Sequence, residues 1–226
     1  MPAPDIFASC PGDGRVLSYY AGVFNSVYVM LSPFIKPTRI SSDRFAADTY
    51  PGKQELNAGA ERVSWELVRQ EAGIPTISGL DIALRTSIAG LRQEVSNAGC
   101  AKRLRNTLDK LGLVQPVEGE HPALLVDAVL GLFHDLGHRW VWIGDEFCSQ
   151  RKLYWIDALL QGDATEISGH CNVFTADKSL LWTVHWDCHF TFLCGDRAVL
   201  EGARVAESLE GFFCGPESEV YWSVRG

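Results

Sequence analysis

The chain is short of basic residues and empty of the common nucleotide and nucleophile motifs. Lys and Arg number 20 against 28 Asp and Glu, leaving a net charge of -8 over 226 residues and a sequence pI near 5.2. That balance disfavours nonspecific binding to nucleic acid or an anionic membrane and makes a basic protein partner or a cation the natural counterpart. No glycine-rich phosphate loop, G-x-G-x-x-G turn or G-x-S-x-G elbow occurs, so the recognisable forms of nucleotide site and hydrolase elbow are excluded. Cys10, Cys100, Cys148, Cys171, Cys188, Cys194 and Cys214 are scattered and never form C-x-x-C, which argues against a zinc ribbon and for buried thiols in a reducing compartment. Cys148, at the start of an expected helix, has no neighbouring histidine in sequence and is a weak nucleophile.

Internal repeats, low-complexity tracts and charge blocks are absent as well. The opening MPAPDIFASCPGDG has neither a basic start nor an apolar core, and the expectation is a cytoplasmic protein without a leader. Val16 to Ile35 carries no formal charge, but Ser18, Asn25, Ser26, Ser32 and Pro33 interrupt it. It reads as a helix followed by a buried strand, SVYVML, and not as a membrane span.

What the chain does have is the content of a packed core: 46% hydrophobic residues, seven Trp and eleven Phe. From 51 to 138 the apolar spacing is helical. ERVSWELVRQEAG turns Val63, Trp65, Leu67 and Val68 inward and stops at Gly73. SGLDIALRTSIAGLRQEVSNAG is expected to start at Ser78 and end at Asn97 or Gly99, with Leu80, Leu84, Ile88 and Leu91 as one stripe. AKRLRNTLDKLG closes at Gly112, and a fourth helix spans Pro122 to Leu136. From 139 to 226 strand signals dominate. RWVWIGDEF is a strand entering an acidic turn, SQRKLYWIDALLQG a helix, and HCNVFTADKSLLWTVHWDCHFTFLCG two strands joined at 176–179. DRAVLEGARVAESLEG is helical and VYWSV a final strand. The expected fold is a single α+β domain, its helical N-terminal half packed on one face of a mostly antiparallel sheet formed mainly by the C-terminal half.

In TVHWDCHFTF the polar residues recur at every second position. Read as one strand, this buries Trp182, Val184, Trp186, Cys188, Phe190, Phe192 and Cys194 and places His185, Asp187 and His189 together on the other face. Two imidazoles and a carboxylate at ~6.6 Å intervals could converge on a divalent metal ion. Asp145 or Glu146, from the turn after WVWIG, could complete that site. Phe133 to His138, FHDLGH, resembles the histidine-aspartate segment of the HD phosphohydrolases, which would make His134 and Asp135 ligands. The family also requires an upstream helix histidine and a later helix aspartate. Here the one upstream histidine, His121, opens the same helix and a strand follows His138. A helix end closed by Gly137 explains the segment better.

DIALRTSIAGL, WVWIGDEF, WDCHFTFLCG and LEGFFCGPESEVYWS together resemble an uncharacterised family of bacterial cytosolic proteins, a resemblance that implies no activity. Small acidic α+β chains of this style are similar to the immunity proteins that neutralise bacterial toxins, without a shared motif. With no complete catalytic signature, the preferred reading is a non-enzymatic binding or immunity-type protein. Asp145, Glu146, Asp163 and Glu166 would face a basic partner. The alternative is a metal-dependent hydrolase or metal-binding protein built on His185, Asp187 and His189.

Overall fold

The computed structural model describes residues 7–147 and 149–225, so Cys148 lies outside the described residues. A helical turn α1 (Val16–Tyr19) leads into β1 (Ser26–Leu31). β2 (Phe34–Pro37) and β3 (Ala60–Val63) form a separate antiparallel ribbon with α2 (Lys53–Gly59) between them. Then come α3 (Trp65–Glu71), α4 (Ile77–Ser87), α5 (Ala98–Leu111) and α6 (Ala123–Asp135). The C-terminal half contributes β4 (Trp140–Gly144), β5 (Arg151–Trp155), α7 (Ile156–Gln161), β6 (Asn172–Phe174), β7 (Leu181–Val184) and β8 (Phe190–Gly195). It ends with α8 (Arg197–Gly202), α9 (Val205–Ser208), β9 (Gly211–Phe213) and α10 (Trp222–Arg225).

The main sheet is seven-stranded in the order β5-β4-β6-β7-β8-β1-β9, and every pairing is antiparallel. The α+β class holds. The sheet is nevertheless covered on both faces, where the sequence pattern led us to expect one. Val27, Val29, Leu31, Leu181, Phe190, Phe192 and Cys194 pack with Trp65, Val68, Leu80, Leu84 and Leu104 of α3, α4 and α5. Tyr28, Met30, Val141, Val173, Trp182 and Leu193 pack on the reverse side with Leu125, Val129 and Phe133 of α6, Ile156 and Leu159 of α7, and Leu200 and Val205 of α8 and α9. Every residue of β1 and β8 is buried. Strands enclosed on both faces lose the polar half of the alternation, which is why SVYVML and FTFLCG read as unbroken apolar runs.

Local signals explain the helix ends. Ser64, Thr76, Asn97 and Asp196 accept backbone N–H groups at the starts of α3, α4, α5 and α8. Gly112 ends α5 at φ +62°, and Gly137 follows α6 at φ +94°, the helix end expected of FHDLGH. The expected helix 78–99 stops at Ser87, and Asn97 caps α5 instead of closing α4. Leu67, placed inward by its spacing, is 47% exposed. Only the second half of SQRKLYWIDALLQG is helical; Arg151–Trp155 pairs with β4 in the register Trp140↔Trp155 to Gly144↔Arg151. The segment VYWSV is not a strand: Trp222 begins α10, and the last strand is the GFF of β9, which adds to the edge of β1.

Candidate ligand cleft at the turn between β7 and β8

TVHWDCHFTF is a hairpin and not one strand. β7 ends at Val184, β8 begins at Phe190, and Val184 pairs with Thr191. The chain reversal breaks the two-residue period, so Trp182 lies in the core opposite to that of Phe190. Its indole Nε1 donates to Thr191 Oγ1 at 2.8 Å. Trp186, expected in the core, sits at the turn and is 58% exposed. His185 and His189 are both buried, while Asp187 is half-buried.

Ser32 N–H donates to the His189 carbonyl at the foot of the turn, and three hydrogen bonds hold its tip. The Cys188 N–H donates to the His185 carbonyl at 3.1 Å, and the Asp187 N–H donates to His185 Nδ1 at 3.1 Å. Nδ1 therefore accepts, so the neutral ring carries its proton on Nε2, which lies 3.5 Å from the Tyr221 hydroxyl. Burial holds His185 below the ordinary histidine value and thus neutral. The third bond comes from outside: the Gly119 N–H donates to the Cys188 carbonyl at 2.9 Å. Gly119 has φ +66°, and a Cβ there would lie 2.5 Å from the Trp186 carbonyl oxygen, so only glycine lets this loop cover the turn. Cys188 Sγ lies 3.7 Å from His185 Nδ1. Burial pushes that thiol well above the ordinary cysteine value, so the pair is no activated nucleophile.

Against this turn pack α4 and α10. Asp81 is fully buried, and its Oδ2 accepts the Ser223 hydroxyl at 2.5 Å while Oδ1 has no partner. Burial pushes its carboxyl up to about 6, against the opposing pull of the Ser223 bond and the Arg85 charge. Arg85, one turn on, is 3% exposed; its guanidinium carbon lies 4.6 Å from the Tyr221 ring centroid, and its Nε and Nη1 have no hydrogen-bond partner among the described residues. Among the described residues neither ring nitrogen of His189 has a partner, and burial with the nearby Arg85 charge lowers this histidine to about 4. Buried polar atoms without partners are costly and uncommon in native cores, and here they come from both α4 and the hairpin turn.

Arg85 and Tyr221 of this cluster line a cleft of about 400 Å³ together with Gly12, Asp13, Arg92 and Asp187. A second cavity of about 300 Å³ shares Gly12 and is lined by Cys10, Glu146, His170, His185 and Trp186. A larger cavity, about 730 Å³, lies at the other end of β7 and β8. Its carboxylates are engaged: Asp177 accepts Ser179 N–H and hydroxyl, and Asp196 caps α8 and binds Asn25.

The residues singled out in the sequence are thus distributed unevenly. Among the described residues no three or more His, Cys, Asp and Glu side chains are placed to hold a metal ion, so His185, Asp187 and His189 are not brought together as ligands. His134 lies 3.5 Å from Asp157 at the end of α6, and Asp135 projects into solvent. Asp145 spends its carboxylate on the Ser149 N–H and hydroxyl and on Gln150 N–H; Asp163 accepts Gln54 N–H at the start of α2. Glu146 reaches the cavity wall beside His185, and Glu166 is exposed. Asp81, Arg85, Arg92 and Tyr221 escaped the sequence reading. The available signal was LDIALR, an acid and a base four apart beside the buried stripe of Leu80 and Leu84, a spacing that ordinarily marks a solvated face.

A helix-covered antiparallel sheet with a charged cleft over one hairpin turn defines an α+β protein with a polar cleft at that turn. Residues 12–224 match the family model described as protein of unknown function (DUF2711), and the chain belongs to that family. No curated protein and no solved structure matches it. Among the described residues no helix is long and apolar enough to cross a membrane.

Proposed function

We propose that this protein binds a small dipolar molecule, one carrying an anionic group together with a cationic or hydrogen-bond-donating group. The observation that supports this reading is Arg85: a buried guanidinium with two donor nitrogens lacking partners, at the wall of a cleft. Such a fork is suited to a carboxylate or phosphate, and Arg92 adds a second positive charge to the same cleft. Asp13 and Asp187 line it too and supply acceptors for the ligand's other end. A purely anionic ligand would meet these carboxylates and a purely cationic one the arginines, so the lining selects a molecule with both. The volume lies within the usual small-ligand range. A binding role agrees with the missing catalytic signature but moves it from an acidic face to a cleft, since Asp145 and Asp163 are engaged internally.

Calorimetric titration with the twenty amino acids tests it, each compared with the amine lacking its carboxylate and the acid lacking its amine. At least one zwitterion should bind, with both single-charge analogues at least tenfold weaker and with binding lost in a folded Arg85→Gln variant. Failure of every zwitterion, or binding that Arg85→Gln leaves unchanged, overturns the reading.

A second reading rests on Phe147, 78% exposed, and Trp186 beside Glu146 at the adjoining cavity. Two exposed aromatics with an acid are the elements by which an immunity-type protein would anchor a basic partner. Phe147→Ala and Trp186→Ala would then weaken capture of a basic protein while leaving amino-acid binding intact.

A further inference from the structure

A third cavity, about 300 Å³, lies away from the charged cleft, between the ribbon of β2 and β3, the start of α2 and the segment entering α6. Ile35, Leu56, Pro116 and Ile167 make much of its wall, with Tyr50, Lys53 and His121 as its principal polar members. Of the charged groups in its lining, Glu120 is exposed to solvent and Asp163, also exposed, accepts the Gln54 N–H. Lys53 donates all three ammonium hydrogens, to Asp127 Oδ1 at 2.6 Å and to the carbonyls of Leu159 at 3.1 Å and Leu160 at 2.9 Å, which leaves none for an anion.

His121 is different. It is 4% exposed, its ring lies 4.2 Å from that of Trp182, and Nε2 is 2.9 Å from the Cys171 carbonyl oxygen. A carbonyl can only accept, so Nε2 donates, and in the neutral ring Nδ1 carries a lone pair. Burial lowers this histidine to about 4, which keeps the ring neutral at physiological pH. Nδ1 is buried and has no hydrogen-bond partner among the described residues. Tyr50, pushed up to about 12 chiefly by burial, retains its hydroxyl proton. The cavity therefore offers apolar walls, a buried uncharged acceptor and a phenol, with the carboxylates of Glu120 and Asp163 at its solvent-exposed edge.

We infer that this cavity is a second ligand site, taking an uncharged, mainly apolar molecule with one O–H or N–H donor received by Nδ1 of His121. An unpaired acceptor gains more from such a donor than apolar contact alone provides. The site shares none of its side chains with the Arg85 cleft, so the two readings stand or fall separately.

Isotope-resolved NMR titration of the full chain with indole, its donor-free isostere indene, benzylamine and benzoate decides the matter. Indole should shift amides at 50–56, 117–124 and 163–168 and bind at least tenfold more tightly than the other three. His121→Phe should remove the preference of indole over indene. Should that variant not fold, Ala123→Phe narrows the cavity with His121 intact and should weaken indole and indene alike. Equal binding of indole and indene to the wild type, tighter binding of either charged probe, shifts confined elsewhere, or no binding at millimolar concentration would each overturn the inference.

Discussion

Asp81 and Arg85 sit one turn apart on α4, both buried, and neither satisfies the other: Asp81 Oδ1 and Arg85 Nε and Nη1 are without hydrogen-bond partners among the described residues. On an exposed helix an acid four residues before an arginine closes into a modest pair. Inside a protein, leaving such groups incompletely paired costs several kcal/mol, and a well-packed apolar pair would be at least as stable. A stability argument thus gives no reason for these residue types here. The position of Arg85 at the wall of the cleft does, with Asp81 one turn behind it, since a group that holds unsatisfied bonding capacity next to a cavity can give it to a ligand.

Asp81 carries a pH signature of its own. Its folded-state value, raised from 3.8 to about 6, lies above the unfolded one, so the folded chain holds the proton more tightly between those limits. Its contribution to stability is therefore complete below pH 4 and lost as pH rises through 6, a difference on the order of 3 kcal/mol. Asp81→Asn, which cannot ionise, should gain stability relative to the wild type by up to about that amount between pH 4 and 7 in urea denaturation. Parallel profiles for the two proteins would contradict the assignment.

His121 and His189 act in the opposite direction. Each falls from 6.5 to about 4 on folding, so the unfolded chain binds the extra proton. Their stabilisation is present above pH 6.5 and lost as pH falls through 4, on the order of 3 kcal/mol per residue. Two histidines outweigh the one aspartate, and the protein should weaken on acidification from pH 6.5. His189→Phe, which also removes two unpartnered nitrogens, should lose less of its thermal stability than the wild type between pH 7 and 4.5. A variant that follows the wild-type acid profile would show that His189 titrates normally.

These groups show why the fold was more legible than the site. Periodicity located α5 and α6, and the apolar run SVYVML marked β1, because burial of one helical stripe or of a whole strand leaves a local trace. The same run also announced coverage of both sheet faces, a signal outweighed by the alternation in TVHWDCHFTF. That alternation crosses a turn, and nothing local to it distinguishes a five-residue reversal from continued extension. Arg151–Trp155 and Gly211–Phe213 owe their strand conformation to pairing with β4 and β1, partners distant in the chain or hidden by a helical pattern. The cleft is assembled from residues 12–13, 85–95, 187 and 221–224, and only the hairpin portion had a pattern to notice.

The two tryptophans of the hairpin separate the observed structure from the single-strand reading. Trp182 is fully buried and bonded to Thr191, whereas Trp186 is 58% exposed. Trp182→Ala should cost ~3–5 kcal/mol, the range for deleting a large core aromatic. Trp186→Ala should stay within about 0.5 kcal/mol of the wild type, as surface changes do. A single strand would make both large. Equilibrium unfolding of the two variants reads the difference directly.

Gly119 offers the sharpest test of how the turn is held. Gly73 and Gly119 have similar backbones, φ +59° and +66°, but a Cβ at Gly73 meets open space while one at Gly119 meets Trp186 backbone and the His170 ring. Alanine at either position incurs the left-handed penalty of about 1–2 kcal/mol. Only at Gly119 must the loop also withdraw, breaking the N–H donation to Cys188, a net loss of roughly 1 kcal/mol more. Gly119→Ala should therefore be the more destabilising, and the excess should appear together with faster amide exchange at residue 119 and shifted resonances at Trp186 and Asp187. Because Asp187 lines the Arg85 cleft, the displacement should also weaken ligand binding there, whereas Gly73→Ala should not. Equal costs at the two glycines, with the turn undisturbed, would mean that the loop over His185 is not what positions the cleft.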